Sequence, residues 1–150
     1  MGYYLQAFVG KQNDLEIIKD NFSVTVLREL GQGLCLIPMT EQLFDQINNY
    51  VSSNEISSFK YLTENVEREI LKCINNKELA YVEADYFGGT GSQIGIVWKE
   101  GKRYMEFASG QNVINKVLSF LGVISDSEKD EFATLELDKY RNTEDWTENL

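Results

Sequence analysis

The sequence predicts an α+β domain in which helices pack against a mainly antiparallel sheet of about six strands. Short apolar runs bounded by Gly and polar residues indicate the strands, and apolar residues at helical spacing indicate the helices. The order of these segments predicts two strand–helix units followed by a three-stranded meander. The chain has 150 residues, of which 43% are hydrophobic, so residues 1–150 are expected to form a single domain.

The first predicted strand is central because Tyr3–Val9 is apolar on both of its faces. Asn13 is placed to cap a short helix. Two short strands follow at Val24–Leu27 and Leu34–Ile37. The Gly31–Gly33 segment between them contains two glycines, which suits the turn of a hairpin.

Two further helices are predicted from their caps and their apolar stripes. Thr40 is expected to cap a helix over Glu41–Val51, and Thr63 to cap a helix that ends near Asn75. Between the two helices, Ser52–Ser58 is polar and predicts a loop.

The clearest signal is a hairpin over Glu78–Trp98, where the runs ELAYVEADYF and IGIVW flank a Gly-rich break. Pairing that is symmetric about Thr90 sets Val82 opposite Trp98 and Asp85 opposite Gly95. This register, or one shifted by two residues, keeps one face of the hairpin wholly apolar.

In that register two carboxylates share the other face and form a candidate acidic notch. The absence of a side chain at Gly95 opens this face to a ligand or a partner, although a solvated strand with a Gly bulge explains the same pattern. If another element covered the face, the carboxylates would need hydrogen-bond partners and the notch would not be a site. The candidate partner-binding residues are Glu83, Asp85, Tyr81, Phe87 and Gln93.

The glycines at Gly88, Gly89 and Gly91 suit a turn that needs positive φ angles. They match neither a phosphate-binding GxxxxGK[ST] loop nor GxGxxG, because no Lys and no helix follow them.

The remaining segments predict a third meander strand at Arg103–Phe107 and a helix over Gln111–Leu121. Ser125 and Glu128 form a capping-box pattern for a last helix. Residues 136–150 are acidic and form a candidate mobile tail.

Net charge is −10, and residues 125–150 contribute −6 of it. Such charge disfavours binding to nucleic acid and to anionic membranes, and it attracts basic proteins. No apolar run approaches the length of a membrane span, and no signal peptide is recognisable, so a cytoplasmic location is expected.

Catalytic and metal-binding groups are scarce, since the chain has no His and its two cysteines, Cys35 and Cys73, are far apart. We therefore expect no metal, no cofactor and no enzymatic activity.

The segment from about Leu79 to Val123 resembles a loose, mostly uncharacterised family of small bacterial proteins. The shared features are a YFGGxGxQ loop (Tyr86–Gln93), an aromatic strand end (Trp98) and a helix of the I-N-x-x-L-x-x-L-G-V type (Ile114–Val123). Members look like the immunity partners of bacterial polymorphic toxins. The resemblance implies an inhibitor that neutralises a toxin by binding it.

The leading hypothesis is therefore an acidic binding protein that inhibits a basic toxin. The alternative is a small-ligand-binding protein or enzyme that uses the Gly88–Gly91 loop and the carboxylates of Glu83 and Asp85. Either monomer or homodimer is expected, with the edge of Arg103–Phe107 as the dimer contact.

Overall fold

The computed structural model describes residues 2–148 and contains one six-stranded sheet, with the strand order β2-β3-β1-β4-β5-β6. Every neighbouring pair is antiparallel. The predicted α+β class is confirmed, and so is the meander, which is β4-β5-β6. The strands are β1 Gly2–Lys11, β2 Arg28–Gly31, β3 Leu34–Pro38, β4 Leu79–Phe87, β5 Thr90–Lys99 and β6 Lys102–Gly110.

Helices cover both faces of the sheet. On the side we call face A lie the helices α1 to α3, and on face B lie α4, α5 and two short 3₁₀ helices. Each face has its own buried apolar cluster, so the fold has three layers. The bounds are α1 Gln12–Asn21, α2 Glu41–Asn48, α3 Glu64–Ile74, α4 Val113–Phe120, α5 Glu131–Thr134, and 3₁₀ helices at Leu137–Lys139 and Thr143–Thr147.

Strand β1 lies in the middle of the sheet, as its apolar character on both sides predicts. Phe8 packs into the cluster on face A, whereas Leu5, Ala7 and Val9 pack into the cluster on face B. All four side chains are fully buried. A strand that is buried on both faces needs such a continuous apolar run.

Two predicted helix caps are confirmed. The Thr40 hydroxyl accepts a hydrogen bond from the amide of Leu43 at 3.1 Å, and the Thr63 hydroxyl accepts one from Val66 at 3.3 Å. Thr63 also donates to Asn48 at 2.9 Å, which ties the start of α3 to the end of α2.

Two boundaries on the N-terminal side differ from the prediction. The strand predicted at Val24–Leu27 lies instead at Arg28–Gly31, because a tight turn at Gln32 and Gly33 pairs only the residues next to it with β3. Helix α1 begins after Lys11, so Asn13 lies inside the helix and is not its cap.

Two other helix ends also differ. Helix α2 ends at Asn48 because Asn49 and Tyr50 both have left-handed φ angles, of 54° and 59°. The last helix is capped by Asp130, whose carboxylate accepts from the amide of Ala133 at 2.9 Å, so the predicted start at Ser125 is wrong.

The end of the chain packs along strand β1. Leu137, Thr143 and Trp146 are buried. The amide of Gln6 donates to the Thr143 hydroxyl at 3.0 Å, and the Tyr3 hydroxyl donates to the carbonyl of Leu137 at 2.8 Å. Residues 149 and 150 of the predicted tail lie outside the described residues.

Candidate functional site

The predicted hairpin of β4 and β5 is confirmed, but its predicted register is wrong. Gly88 and Gly89 alone form the turn, with φ angles of 60° and 81°, so Phe87 already pairs with Thr90. Positive φ at both turn residues is the geometry of the tightest hairpins. The pairing is shifted by three residues from the predicted one, and an odd shift exchanges the faces of one strand relative to the other.

Gly95 therefore lies opposite Val82 and not opposite Asp85. It is on face B, directly under helix α4. An added Cβ atom would come within 3.0 Å of Val117 and 3.1 Å of Val113. The missing side chain lets α4 approach the sheet closely and leaves no notch for a ligand. The pairing of β5 with β6 is also irregular between Gln93 and Gly95, which fits the predicted bulge, but Gly95 is buried and does not lie on the solvated face that this interpretation expected.

Glu83 points into face A, among the side chains of the buried cluster. Its residue is only 5% exposed. One carboxylate oxygen, Oε1, accepts from the amide of Lys60 at 2.7 Å. The other, Oε2, accepts from the amide of Tyr61 at 2.9 Å and from the Tyr81 hydroxyl at 2.8 Å. Glu83 thus fastens the Lys60–Tyr61 segment, which precedes α3, onto the sheet.

This environment shifts the acidity of both buried groups. Burial raises the pKa of Glu83 above its usual range, although the donors on Lys60, Tyr61 and Tyr81 oppose the rise. Burial and the adjacent Glu83 carboxylate raise the pKa of Tyr81 well above its ordinary value. Tyr81 is fully buried, so neither of these two predicted residues presents a surface to a partner.

The other predicted site residues are dispersed. Asp85 forms an ion pair with the Lys60 ammonium, and its hydrogen bond raises the pKa of Lys60. Phe87 is 69% exposed beside the turn. The side-chain oxygen of Gln93 accepts from the amide of Ile114 at 2.8 Å, which positions the start of α4. The predicted open acidic notch is therefore absent, because Glu83 is buried and the half-exposed Asp85 is paired with Lys60.

A small cavity of about 130 Å³ remains beside Glu83, lined also by Lys60 and Asp85. Ligand pockets usually enclose roughly 300–1,000 Å³. None of the glycines of the Gly88–Gly91 loop lines this cavity. The two groups on which the ligand-binding alternative depends are therefore not brought together.

Two larger grooves meet at Tyr61, the residue that Glu83 holds. One has a volume of about 590 Å³ and the other about 580 Å³. The rings of Tyr61 and Phe44 contact edge to face, with centroids 5.5 Å apart. We call the two grooves together the Tyr61 surface, and the residues that give it its character are Glu41, Phe44, Asp45, Tyr50, Glu55, Lys60, Tyr61 and Glu144.

The charges of the Tyr61 surface are almost all negative. Glu41, Asp45, Glu55 and Glu144 are exposed, and none of them forms an ion pair within residues 2–148. Among residues 2–148, the one basic residue in the lining is Lys60, which forms an ion pair with Asp85.

Tyr50 was not predicted as a site residue, because it falls inside the helix that the sequence predicts over Glu41–Val51. It is 81% exposed and has a left-handed φ. The Asn48-Asn49 pair before it was the available signal, because Asn tolerates a left-handed helix end.

Comparison with known proteins finds no matching family model, no similar curated protein and no similar solved structure. Within residues 2–148, no three Cys, Asp or Glu side chains are grouped to hold a metal ion. No helix in that range has the length and apolar character needed to cross a bilayer.

Proposed function

We propose that this chain is a non-catalytic, acidic binding protein that neutralises a basic protein in the cytoplasm, in the manner of a toxin immunity protein. The observation that carries the proposal is the Tyr61 surface, where aromatic side chains line grooves together with four exposed carboxylates that form no ion pair within residues 2–148. The leading function of the sequence analysis is kept, but its binding surface moves from the hairpin to these grooves.

Charge and shape have separate roles in this proposal. A net charge of −10 accelerates the encounter with a basic partner and orients it. The grooves then supply specificity, because a Lys or Arg side chain of the partner can lie along an aromatic ring and reach a carboxylate. Tyr50 and Tyr61 are the expected anchors, since aromatic residues are enriched among the residues that dominate binding energy.

Glu83 contributes to this surface by positioning it. Its carboxylate holds the amides of Lys60 and Tyr61, and both residues line the first groove. A loop held by a buried charge is less free to rearrange, so binding costs less conformational entropy. The resemblance of the hairpin to immunity-type proteins points to the same functional class and stays a prediction.

The proposal is tested by capturing partners from native cells with the tagged protein, at low and at physiological salt. A basic protein retained stoichiometrically at both salts, and toxic when expressed without this chain, is the expected result. The double variant Asp45→Lys/Glu55→Lys should then lose the partner. The matched control Asp20→Lys/Glu128→Lys changes the net charge equally at exposed positions away from both grooves and should retain it.

Two outcomes contradict the proposal. Basic proteins that bind only at low salt indicate non-specific attraction. Equal loss of the partner in both double variants indicates that overall charge, and not the Tyr61 surface, determines binding.

A further inference from the structure

Strand β6 is a long sheet edge that pairs only with β5 in the described part of the chain. It has nine residues, and Tyr104, the third of them, is 49% exposed. The opposite edge, β2, has four residues, and its Arg28 donates to the carbonyl of Trp146 at 2.6 Å. An unpaired strand of this length presents a row of free backbone donors and acceptors to another strand.

The side chains of β6 are divided unequally between the two faces. Arg103 and Glu106 lie on face A, because they pair with Trp98 and Ile96, whose side chains belong to that cluster. A bulge at Tyr104 then changes the alternation. Face B receives Lys102, Tyr104, Met105 and Phe107.

This pattern is self-complementary. When β6 pairs antiparallel with a second β6 about a two-fold axis between Tyr104 and Met105, Arg103 of each copy lies opposite Glu106 of the other. Tyr104 then lies opposite Met105, and Lys102 opposite Phe107, so every facing pair shares a face of the joined sheet. A shift by one residue in either direction sets face A residues against face B residues.

We propose that β6 is a docking edge for a second copy of this chain, which joins two sheets into one of twelve strands. Within one chain, Arg103 already forms ion pairs with Glu67 at 2.6 Å and with Glu106 at 3.3 Å. The two facing pairs would join these groups of the two copies, and opposite charges that face each other stabilise antiparallel strands. The interface is isologous, as a two-fold dimer requires. It does not involve the Tyr61 surface, so each copy keeps its grooves.

Apolar side chains on face B of the same edge would also be buried by a second copy. Met105, Phe107 and Phe120 line a groove of about 480 Å³ between β6 and α4. The Tyr104 ring packs on Phe120, with centroids 5.4 Å apart. In the paired arrangement the Tyr104 and Met105 side chains of each copy lie beside those of the other, which removes apolar surface from water.

Sedimentation equilibrium over a wide concentration range tests the proposal, at physiological salt so that the repulsion between two copies of charge −10 is screened. A dimer mass at high concentration is expected. Glu106→Arg places like charges across the axis and should raise the dimer Kd about tenfold or more. Glu29→Arg, the same change on edge strand β2, should leave the Kd unchanged.

Hydrogen exchange provides a readout that does not depend on a variant. Amide protons of Lys102–Gly110 that point away from β5 should become protected as protein concentration rises. Circular dichroism establishes that the Glu106→Arg protein is folded. A monomer mass at every concentration, or a dimer whose formation leaves β6 exchange unchanged, overturns the proposal.

Discussion

Replacing Gly95 by Ala tests whether this glycine exists for helix packing. The added methyl group would lie 3.0 Å from Val117, 3.1 Å from Val113 and 3.4 Å from Val82, which is closer than carbon atoms normally approach. Overpacking of a core typically costs about 1–3 kcal/mol. Ala also restricts the unfolded chain more than Gly does, which stabilises the folded protein by roughly 0.4–1 kcal/mol. We therefore expect the unfolding free energy to fall by about 1–2 kcal/mol.

Urea unfolding measures this loss as a lower midpoint with an unchanged slope, and thermal unfolding should show a decrease of roughly 2–8 °C. Gly110→Ala is the matched control, because the nearest atoms to its Cβ are 3.8 and 3.9 Å away. Neither glycine has a left-handed φ, so the backbone accepts Ala at both positions. The control should be neutral or slightly more stable than wild type.

A second variant examines the proposed cause directly. Val117→Ala removes the methyl group that the new Cβ would meet. The double variant Gly95→Ala/Val117→Ala should therefore be more stable than the sum of the single losses predicts, by about 0.5 kcal/mol or more. Strictly additive losses of unfolding free energy, or a Gly95→Ala protein as stable as wild type, would refute the packing explanation.

Three further predictions concern buried or strained residues. The pKa of Glu83 is raised in the folded state. The unfolding free energy of wild type should therefore fall as pH rises from the ordinary Glu pKa of about 4.5 towards the raised pKa. Urea titrations at a series of pH values should show that Glu83→Gln lacks this pH-dependent loss. The pKa of Glu67 is shifted in the opposite direction. Burial opposes ionisation, but donors on Arg103 and Trp98 outweigh it and lower the pKa. The stability that Glu67 contributes should be present at neutral pH and lost as pH falls through the lowered pKa. Glu67→Gln should therefore lower the unfolding free energy by about 1–3 kcal/mol at pH 7 and by less in acid. Equal losses at both pH values would contradict this. Tyr50→Asn should raise stability by about 1 kcal/mol in thermal unfolding, because Asn tolerates the left-handed φ, and it should weaken partner binding; an unchanged affinity would remove Tyr50 as an anchor.

Local signals predicted much of the fold. The caps at Thr40 and Thr63 depend on residues within one helical turn, and the central position of β1 follows from its own apolar run. The meander follows from strands joined by short turns. In each of these cases the deciding interaction joins residues that are near in sequence or share one element.

The register of β4 and β5 could not be derived in the same way. Both faces of this hairpin are largely buried under helices, so its sequence lacks the polar–apolar alternation that normally fixes a register. Thr90, Gly91 and Ser92 have the composition of a loop, yet they belong to strand β5.

The role of Glu83 was beyond sequence reasoning for a different reason. Two of its three donors are backbone amides of Lys60 and Tyr61, and a backbone amide has no side-chain signature. The sequence shows a carboxylate between apolar residues, which fits an exposed site as well as a buried anchor. The Tyr61 surface was missed with it, since that surface depends on where the anchored segment lies.

The position of β1 at the centre of the sheet has a consequence for how the chain folds during synthesis. Its partner β4 begins at Leu79. The amides of Tyr4 and Gln6 donate hydrogen bonds to Arg141 and Thr143, near the other end of the sequence. Such high contact order favours slow folding. Strand β3 can pair with one side of β1 early in synthesis, but β4 and the Arg141–Thr143 segment are made much later, so the nascent chain holds a half-paired apolar strand that chaperones can bind until those partners are made.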